Sequence, residues 1–419
     1  MLKRGEDDLS GAQLLRAIEA ALAFAATECA PPGTEPAAVA HQWAHAIAGG
    51  HPLFAGVARD EVEQALRAAG LFRTPEQFAN ALESVGSVAP QGPALFSFID
   101  LFAGIGGMRI GFQNAGGRCV FSSEFDRSAQ QTYEANHGEH PFGDITKIEP
   151  DDIPSHDVLL AGFPCQPFSH AGLKLGIEDT RGTLFYNIAQ ILKAKRPKFA
   201  LLENVRGLIS HQRGHTLQVI LEALTSIGYE CNIPSELIRS GSTAQIQDAA
   251  KKMVLRSVDF GVPQNRQRIY IVLWREGEET QFDYPVPSGQ PTRVGDILEP
   301  APPAKYRLSD RLWSGHQRRK VENARNGKGF GFGLVTPDSR YANTISARYY
   351  KDGSEILISD IEGENPRKLT HREAARLQGF PESFVIHPSA VQGYKQFGNS
   401  VSVPVIEAIA NRIAASINT

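Results

Sequence analysis

Apolar positions fall into two textures along the chain. From residue 9 to residue 90 they recur every three or four positions, as in LSGAQLLRAIEAALAFAA and RDEVEQALRAAGLF. That spacing predicts amphipathic helices. APPGTEPA and GGHP punctuate them, and VAPQGPAL reads as a linker. From Phe96 onward short unbroken apolar runs take over: FSFIDLF, RCVFSSE, HDVLLAGF, KFALLENV and RIYIVLW. Each is about strand length and ends in a loop of Gly, Pro or Asn, with helical patterns between. Unbroken apolar strands alternating with helices predict an α/β fold, a doubly wound, mostly parallel sheet covered on both faces. Beyond Trp274 the pattern lapses into the Pro-rich QFDYPVPSGQPTRVGDILEPAPPAKY, and a change of domain is expected near residue 275. VPVIEAIANRIAASI predicts a closing amphipathic helix. The expected divisions are 1–90, a helical N-terminal extension; 94–274, the α/β domain; 275–394, a smaller domain; and 395–419, a C-terminal helix that returns to the large domain.

Composition narrows this picture little. The 419 residues are 42% hydrophobic and 21% charged, which is ordinary for a globular chain. No run approaches the roughly 18 uninterrupted apolar residues of a membrane span, and MLKRGEDDLS has no signal-peptide apolar region. Cys29, Cys119, Cys165 and Cys231 are widely spaced without a CxxC pair. That argues against a disulfide framework or a zinc site and fits a reducing cytoplasm. The formal charge of −3 offers no overall attraction to nucleic acid, so any such argument is local. Residues 1–90 hold six Lys/Arg against eleven acids, whereas Lys305–Arg348 holds ten against three. The basic stretch is interleaved with Tyr306, Trp313, Phe330, Phe332, Tyr341, Tyr349 and Tyr350. That mixture suits a phosphate-contacting surface as well as it suits a solvated helix face.

In an open α/β sheet ligands bind beyond the carboxyl ends of the strands. After the first run comes DLFAGIGG, whose glycines permit a tight turn and close backbone approach, though not at G-x-G-x-x-G spacing. After the second, Glu124 stands where an acid can take both ribose hydroxyls; an ordinary surface glutamate fits the same position. Asp144 in FGDITKI can bind an adenine amino group or cap a helix. Three such groups at successive strand ends favour an adenosine-bearing cofactor. After the HDVLLAGF run, Cys165 sits in GFPCQPFS between Pro164 and Pro167. Free cysteines are usually inert buried hydrophobes, but a stiff Gly-Phe-Pro loop at a ligand edge favours an aimed nucleophile. KFALLENV ends on Glu203 and Asn204, a carboxyl able to hand a proton to a ring nitrogen. QNRQR opens the last run and is expected to put Gln264, Arg266 and Arg268 on one face, where one or both arginines can instead brace loops through salt bridges.

DLFAGIGG, SSEFD, GDI, GFPCQPFS, ENV, QNRQR, RKLTHREAARLQGFP and YKQFGNSV resemble, in order and separation, the motif series of the DNA cytosine-5 methyltransferases. The resemblance runs from about Phe96 to the C-terminus. It implies the S-adenosylmethionine-dependent methyltransferase fold, with 94–274 as catalytic domain and 275–394 as target-recognition domain. Phe102 and Gly104 would belong to the S-adenosylmethionine loop, Glu124 would hold the ribose and Asp144 the adenine. Asn399 and Ser400 would close that pocket. Asp100, Gly106, Gly107, Phe125, Ile145 and Pro164 would complete it. Cys165 would attack C6 of a cytosine flipped from duplex DNA. Glu203 would protonate N3, and Arg268 would bind O2 or steady the cysteine loop with Arg266 beside it. Gln166, Ser169, Asn204 and Gln264 would face the substrate, and Arg348 would read guanine edges. ARNGKGFGFGLV and TISARYYKDGSEILI resemble the recognition segment of the Dcm-like subgroup, which implies the inner cytosine of a CCNGG, CCWGG or CCGG site. A cytoplasmic bacterial monomer acting on double-stranded DNA is expected, with a cognate restriction endonuclease or defence-system partner conceivable. A tRNA cytosine-5 methyltransferase, or an inactive DNA-binding subunit, are the competing readings. The acidic N-terminal ninety residues are expected to pack on the catalytic domain or to meet a protein partner.

Overall fold

The computed structural model describes residues 11–72, 74–90, 92–163, 184–278, 282–329 and 331–417. The chain opens with four helices, α1 (Gly11–Cys29), α2 (Pro36–Gly49), α3 (Arg59–Ala68) and α4 (Pro75–Glu83). It continues as β1 (Phe96–Leu101), α5 (Gly107–Asn114), β2 (Gly117–Ser123), α6 (Arg127–His137), β3 (Val158–Gly162), α7 (Leu184–Lys195) and β4 (Phe199–Val205). Then come α8 (His215–Ser226), β5 (Tyr229–Glu230), α9 (Ser235–Ser240), α10 (Thr243–Ala250), β6 (Val254–Arg256) and β7 (Gln267–Arg275). The last part holds α11 (Asp310–Arg325), β8 (Leu334–Val335), β9 (Leu357–Ile358), α12 (His371–Arg376), α13 (Ala390–Asn399) and α14 (Val403–Ile417).

The main sheet runs in the order β2-β1-β3-β4-β7-β5, with β6 paired to β7. β2, β1, β3 and β4 are mutually parallel. The RIYIVLW strand departs from the expected pattern, because β7 lies antiparallel to β4, β5 and β6. Unbroken apolar composition reports burial on both faces and carries no information on strand direction. The antiparallel run is what carries the chain back to the site: β4 delivers Glu203 at its carboxyl end, and β7 delivers Arg268 at its amino end beside it.

Alternation divides the strands between two cores. Ile99, Leu101, Leu159, Ala161 and Leu202 point into one, with α7 and α8. Phe98, Leu160, Leu201, Tyr270 and Val272 point into the other, with α5 and α14. A third cluster joins Ile105, Ile110 and Ala129 to Tyr349, Ile358, Leu369, Phe380 and Phe397. Ala390–Ile417 is by composition long and apolar enough to cross a membrane. It is two helices separated at Ser400–Ser402, and Ile406, Ile409 and Ile413 are fully buried in the second core.

The N-terminal helices belong to the first core. Trp43, Ala44, Ile47 and Phe54 are 0–2% exposed and share a cluster with Val120, Phe121 and Phe142. Phe54 lies 4.5 Å from Phe142 and 6.1 Å from Phe121, ring centre to ring centre. Gln42 Nε2 donates to the Val120 carbonyl at 3.1 Å, and the His140 N–H donates to His41 Nδ1 at 2.9 Å. α2 is buried nearly all round, and AVAHQWAHAIAG therefore lacks the one-sided periodicity by which α1 and α3 were legible.

Candidate active site

A cavity of about 490 Å³ opens at the carboxyl ends of β1, β2 and β4, within the range of small-molecule sites. Its floor is the β1–α5 turn. Phe102 there has φ of +57°, a left-handed conformation that costs a non-glycine residue energy and concentrates at functional sites. Gly106 caps α5 at φ +84°, and a Cβ on it would lie 2.1 Å from His137 Nε2, so no other residue fits. Asp100, Phe102, Gly104 and Gly107 all line the cavity.

Asp100 is 1% exposed, and its Oδ2 has no hydrogen-bond partner. Burial pushes its carboxyl up to about 7, with the Arg109 guanidinium pulling the other way. Glu124, at the end of β2, accepts from the Gly104 N–H at 2.8 Å and the Asp126 N–H at 2.7 Å. Those bonds hold its carboxylate across the glycine turn, while burial raises its pKa. An unpartnered buried carboxyl oxygen and a fixed carboxylate over a tight backbone turn suit a ligand rich in hydroxyl and amine donors. The nucleoside and amino-acid ends of S-adenosylmethionine are such donors.

β4 supplies Glu203 and Asn204 to the same cavity, β7 supplies Arg268, and Arg266 stands just before β7. Arg268 Nε lies 3.1 Å from Glu203 Oε1, close enough for an ion pair. The two are not aligned as a hydrogen bond, so Oε1 has no hydrogen-bond partner. Burial raises the Glu203 pKa, and Arg268 then Arg266 oppose it. Arg266 is buried, and burial brings it down to about 10. Its guanidinium donates to the carbonyls of Gly398 at 3.4 Å, Ile345 at 3.5 Å and Ser400. Asn204 Nδ2 donates to the Phe163 carbonyl at 2.9 Å, pinning the strand end that leads to Pro164.

The sequence expectations divide accordingly. Asp100, Phe102, Gly104, Gly107, Glu124, Glu203, Asn204, Arg266, Arg268, Asn399 and Ser400 share one cavity. Gly106 and Ile145 stand behind it, one against His137 and the other in the core. Phe125 and Asp144 line an adjoining open cleft that meets the cavity at Asp126. Asp144 also caps a single helical turn, accepting from the Thr146 N–H at 3.0 Å, which is the capping reading of it. The expectation for Gln264 is corrected. It is 0% exposed, donates to the Leu377 carbonyl and Gln378, and accepts from the Ile345 N–H at 3.0 Å. All of that ties β7 to the C-terminal segments and leaves nothing to face a substrate. Arg348 is exposed and does not line the cavity. Pro164, Cys165, Gln166 and Ser169 lie outside the described residues. Sequence reasoning missed Gln392, Lys395 and Gln396 on the cavity wall; Lys395 pairs with Asp126 at 2.6 Å. Both Lys395 and Gln396 sit in YKQFGNSV, where only the last residues had been given a role.

Comparison with known proteins bears on this arrangement. The profile of a family described as C-5 cytosine-specific DNA methylase matches residues 96–415. The Type II methyltransferase M.NlaX of Neisseria lactamica is 57% identical over 327 residues, covering 77% of this chain and 98% of that protein. M.SsoII of Shigella sonnei is 53% identical over 328 residues, covering 77% of this chain and 81% of its own. A crystal structure of the S. pombe Dnmt2 methyltransferase superposes with a TM-score of 0.59 at 22% identity, over 77% of this chain and all of that one, a likeness of fold.

Proposed function

The chain belongs to the C-5 cytosine-specific DNA methylases, and from that premise we propose a residue-by-residue account of its reaction. The protein is an S-adenosylmethionine-dependent DNA cytosine-5 methyltransferase. When bound, S-adenosylmethionine supplies an electrophilic methyl group. Glu124 would hold the ribose hydroxyls, Asp144 the adenine end and Asp100 the donors deeper in the cavity. Cys165, which follows β3 in the sequence, bonds as its thiolate through sulfur to C6 of an everted cytosine. Glu203 gives a proton to N3, which draws electrons from the ring as the C–S bond forms. Its raised pKa keeps that proton available nearer neutral pH. Arg268, ion-paired to Glu203, steadies the carboxyl and the pyrimidine O2. Addition at C6 leaves C5 enamine-like and nucleophilic, the site that would accept the methyl group; loss of the C5 proton to water then expels the Cys165 sulfur as thiolate, and N3 returns its proton to Glu203 as the ring is restored.

The observation that carries this account is the meeting of Glu203 and Arg268 with Asp100 and Glu124 in one cavity. A proton donor for the base and a donor-binding carboxylate set thus face the same space. The test is DNA carrying 5-fluorocytosine, in which fluorine blocks the final proton loss. A covalent complex on Cys165, seen by mass spectrometry, supports the assignment; no adduct under saturating cofactor refutes attack at C6.

The finer part of the reading concerns the target and the setting. Residues 275–394 act as the recognition domain on a CCNGG, CCWGG or CCGG site, supported by the two segments quoted above. The surface of α11 adds to this support: Arg311, Arg318, Arg319, Lys320 and Arg325 leave only His316 buried on that helix. The enzyme works as a cytoplasmic monomer, in the company of a cognate restriction endonuclease, a reading supported by its likeness to proteins named Type II methyltransferases. Sequencing of methylated cytosines in DNA from expressing cells decides the target.

A further inference from the structure

We propose that the α1–α2 connection of the N-terminal extension forms a wall of the cofactor site at its adenosine end, with Glu35 as a cofactor-contacting residue. The inference rests on the reading that Glu124 and Asp144 hold the adenosine.

The family match begins only at residue 96. M.NlaX is matched over 98% of its length by 327 residues of this chain, so that relative has no room for an equivalent of the extension. Nevertheless Pro32, Gly33 and Glu35 line the open cleft of about 780 Å³ that also holds Phe125, Asp126 and Asp144. This cleft meets the main cavity at Asp126.

The approach of the two segments is close and fixed. A Cβ on Gly143, next to Asp144, would lie 2.7 Å from the Gly33 carbonyl oxygen, so the backbones are in direct contact. The Gly143 N–H points to Thr34 Oγ1 at 3.4 Å. Behind the connection, α2 is anchored through Gln42, His41 and the neighbouring Phe54 to β2 and the His140–Phe142 segment. A wall held by a buried core does not swing away from the cleft.

The chemistry of the wall complements the ligand. Glu35 is exposed to the cleft, with its carboxylate 3.7 Å from His140 Nε2, too far for a strong hydrogen bond. It adds a second acceptor beside Asp144. An adenine exocyclic amine has two N–H donors, and two carboxylates lining one cleft offer an acceptor to each.

The test measures S-adenosylhomocysteine binding to the full chain by calorimetry. Compared are the wild type, Glu35→Ala, Glu35→Gln and, as a control on the underlying reading, Glu124→Ala. Glu35 is exposed, so folding is not at stake, and thermal melts confirm it. Glu35→Ala is expected to weaken binding by roughly three- to tenfold, the scale of one partly exposed charge-assisted bond. Glu35→Gln, which keeps an acceptor oxygen, recovers part of the loss. The inosine counterpart of the ligand, without the amine, is bound equally by wild type and Glu35→Ala. In turnover, the KM for cofactor rises while kcat holds. If Glu35→Ala binds like wild type while Glu124→Ala does not, the inference is wrong and the site reading stands. If Glu124→Ala also binds like wild type, the site reading fails and takes the inference with it.

Discussion

Phe54→Ala tests whether the N-terminal helices and the catalytic layer fold as one unit. The ring is fully buried and joins Phe142 at 4.5 Å, which in turn meets Phe121 at 4.6 Å. Both partners belong to the segment that ends at Glu124 and Asp144. Truncating a buried phenylalanine costs ~3–5 kcal/mol in lost burial and unrelaxed cavity. Against a total stability of ~5–15 kcal/mol that is a large fraction. An unfolding entropy of about 2.1 cal/mol/K per residue gives ~0.9 kcal/mol/K for 419 residues. The expected fall in melting temperature is therefore ~3–6 °C, in a single calorimetric transition. Hydrogen exchange is expected to accelerate in β2 and α6 as well as in α2. Phe24→Ala on α1, where the ring is 79% exposed, serves as the matched surface control and should stay within ~0.5 kcal/mol of wild type. Two separate transitions, with β1–β4 protected as in wild type, would refute the claim of a shared core.

Other consequences are equally direct. Asp100→Asn removes a carboxyl that burial holds at about 7 against an ordinary value of 3.8. Between those values the folded wild type keeps a proton that the unfolded chain has lost, so rising pH costs it stability, ~1.4 kcal/mol per unit at most. The stability of Asp100→Asn relative to wild type should climb from pH 4 to about 7 and then level off in denaturant melts; a flat difference would sink the assignment. Cys165→Ser should abolish turnover while binding DNA normally in gel-shift assays, and undiminished methylation would refute the nucleophile. Glu203→Gln should lose the alkaline limb of the kcat profile, because wild type loses activity as pH rises through the raised Glu203 pKa. An unchanged limb would assign it to another group. Arg266→Ala strands three carbonyls and should cost at least ~1–3 kcal/mol, with faster proteolysis near Ser400–Ser402 as the readout.

Much of the architecture was legible because both-face burial leaves an unbroken apolar signature. FSFIDLF, RCVFSSE, HDVLLAGF and KFALLENV became β1, β2, β3 and β4; Phe102 and Glu124 lie just past the ends of β1 and β2, and Glu203 lies within the last residues of β4. Direction was not legible for β7, since apolar composition is blind to strand polarity. α2 escaped because it is buried all round and carries no polar face. Gln264 was misassigned for a related reason. Alternation along a strand fixes which residues share a face, but only the fold shows that Gln264, ahead of β7, turns toward Leu377 and Ile345 while Arg266 and Arg268 reach the cavity. Packing of the extension on the catalytic domain was one of two expectations, but the surface it uses was not legible, because the contacts join residues 78 and 99 positions apart, Gln42 with Val120 and His41 with His140.

The grip of Arg266 on Gly398 and Ser400 joins stretches 132 and 134 positions apart. The pocket wall made by Gln396, Asn399 and Ser400 is therefore built by long-range closure, unlike the strand–helix turns that carry Asp100 and Glu124 and form from near neighbours. Half of the pocket is local and early, and the other half waits for a distant segment to dock.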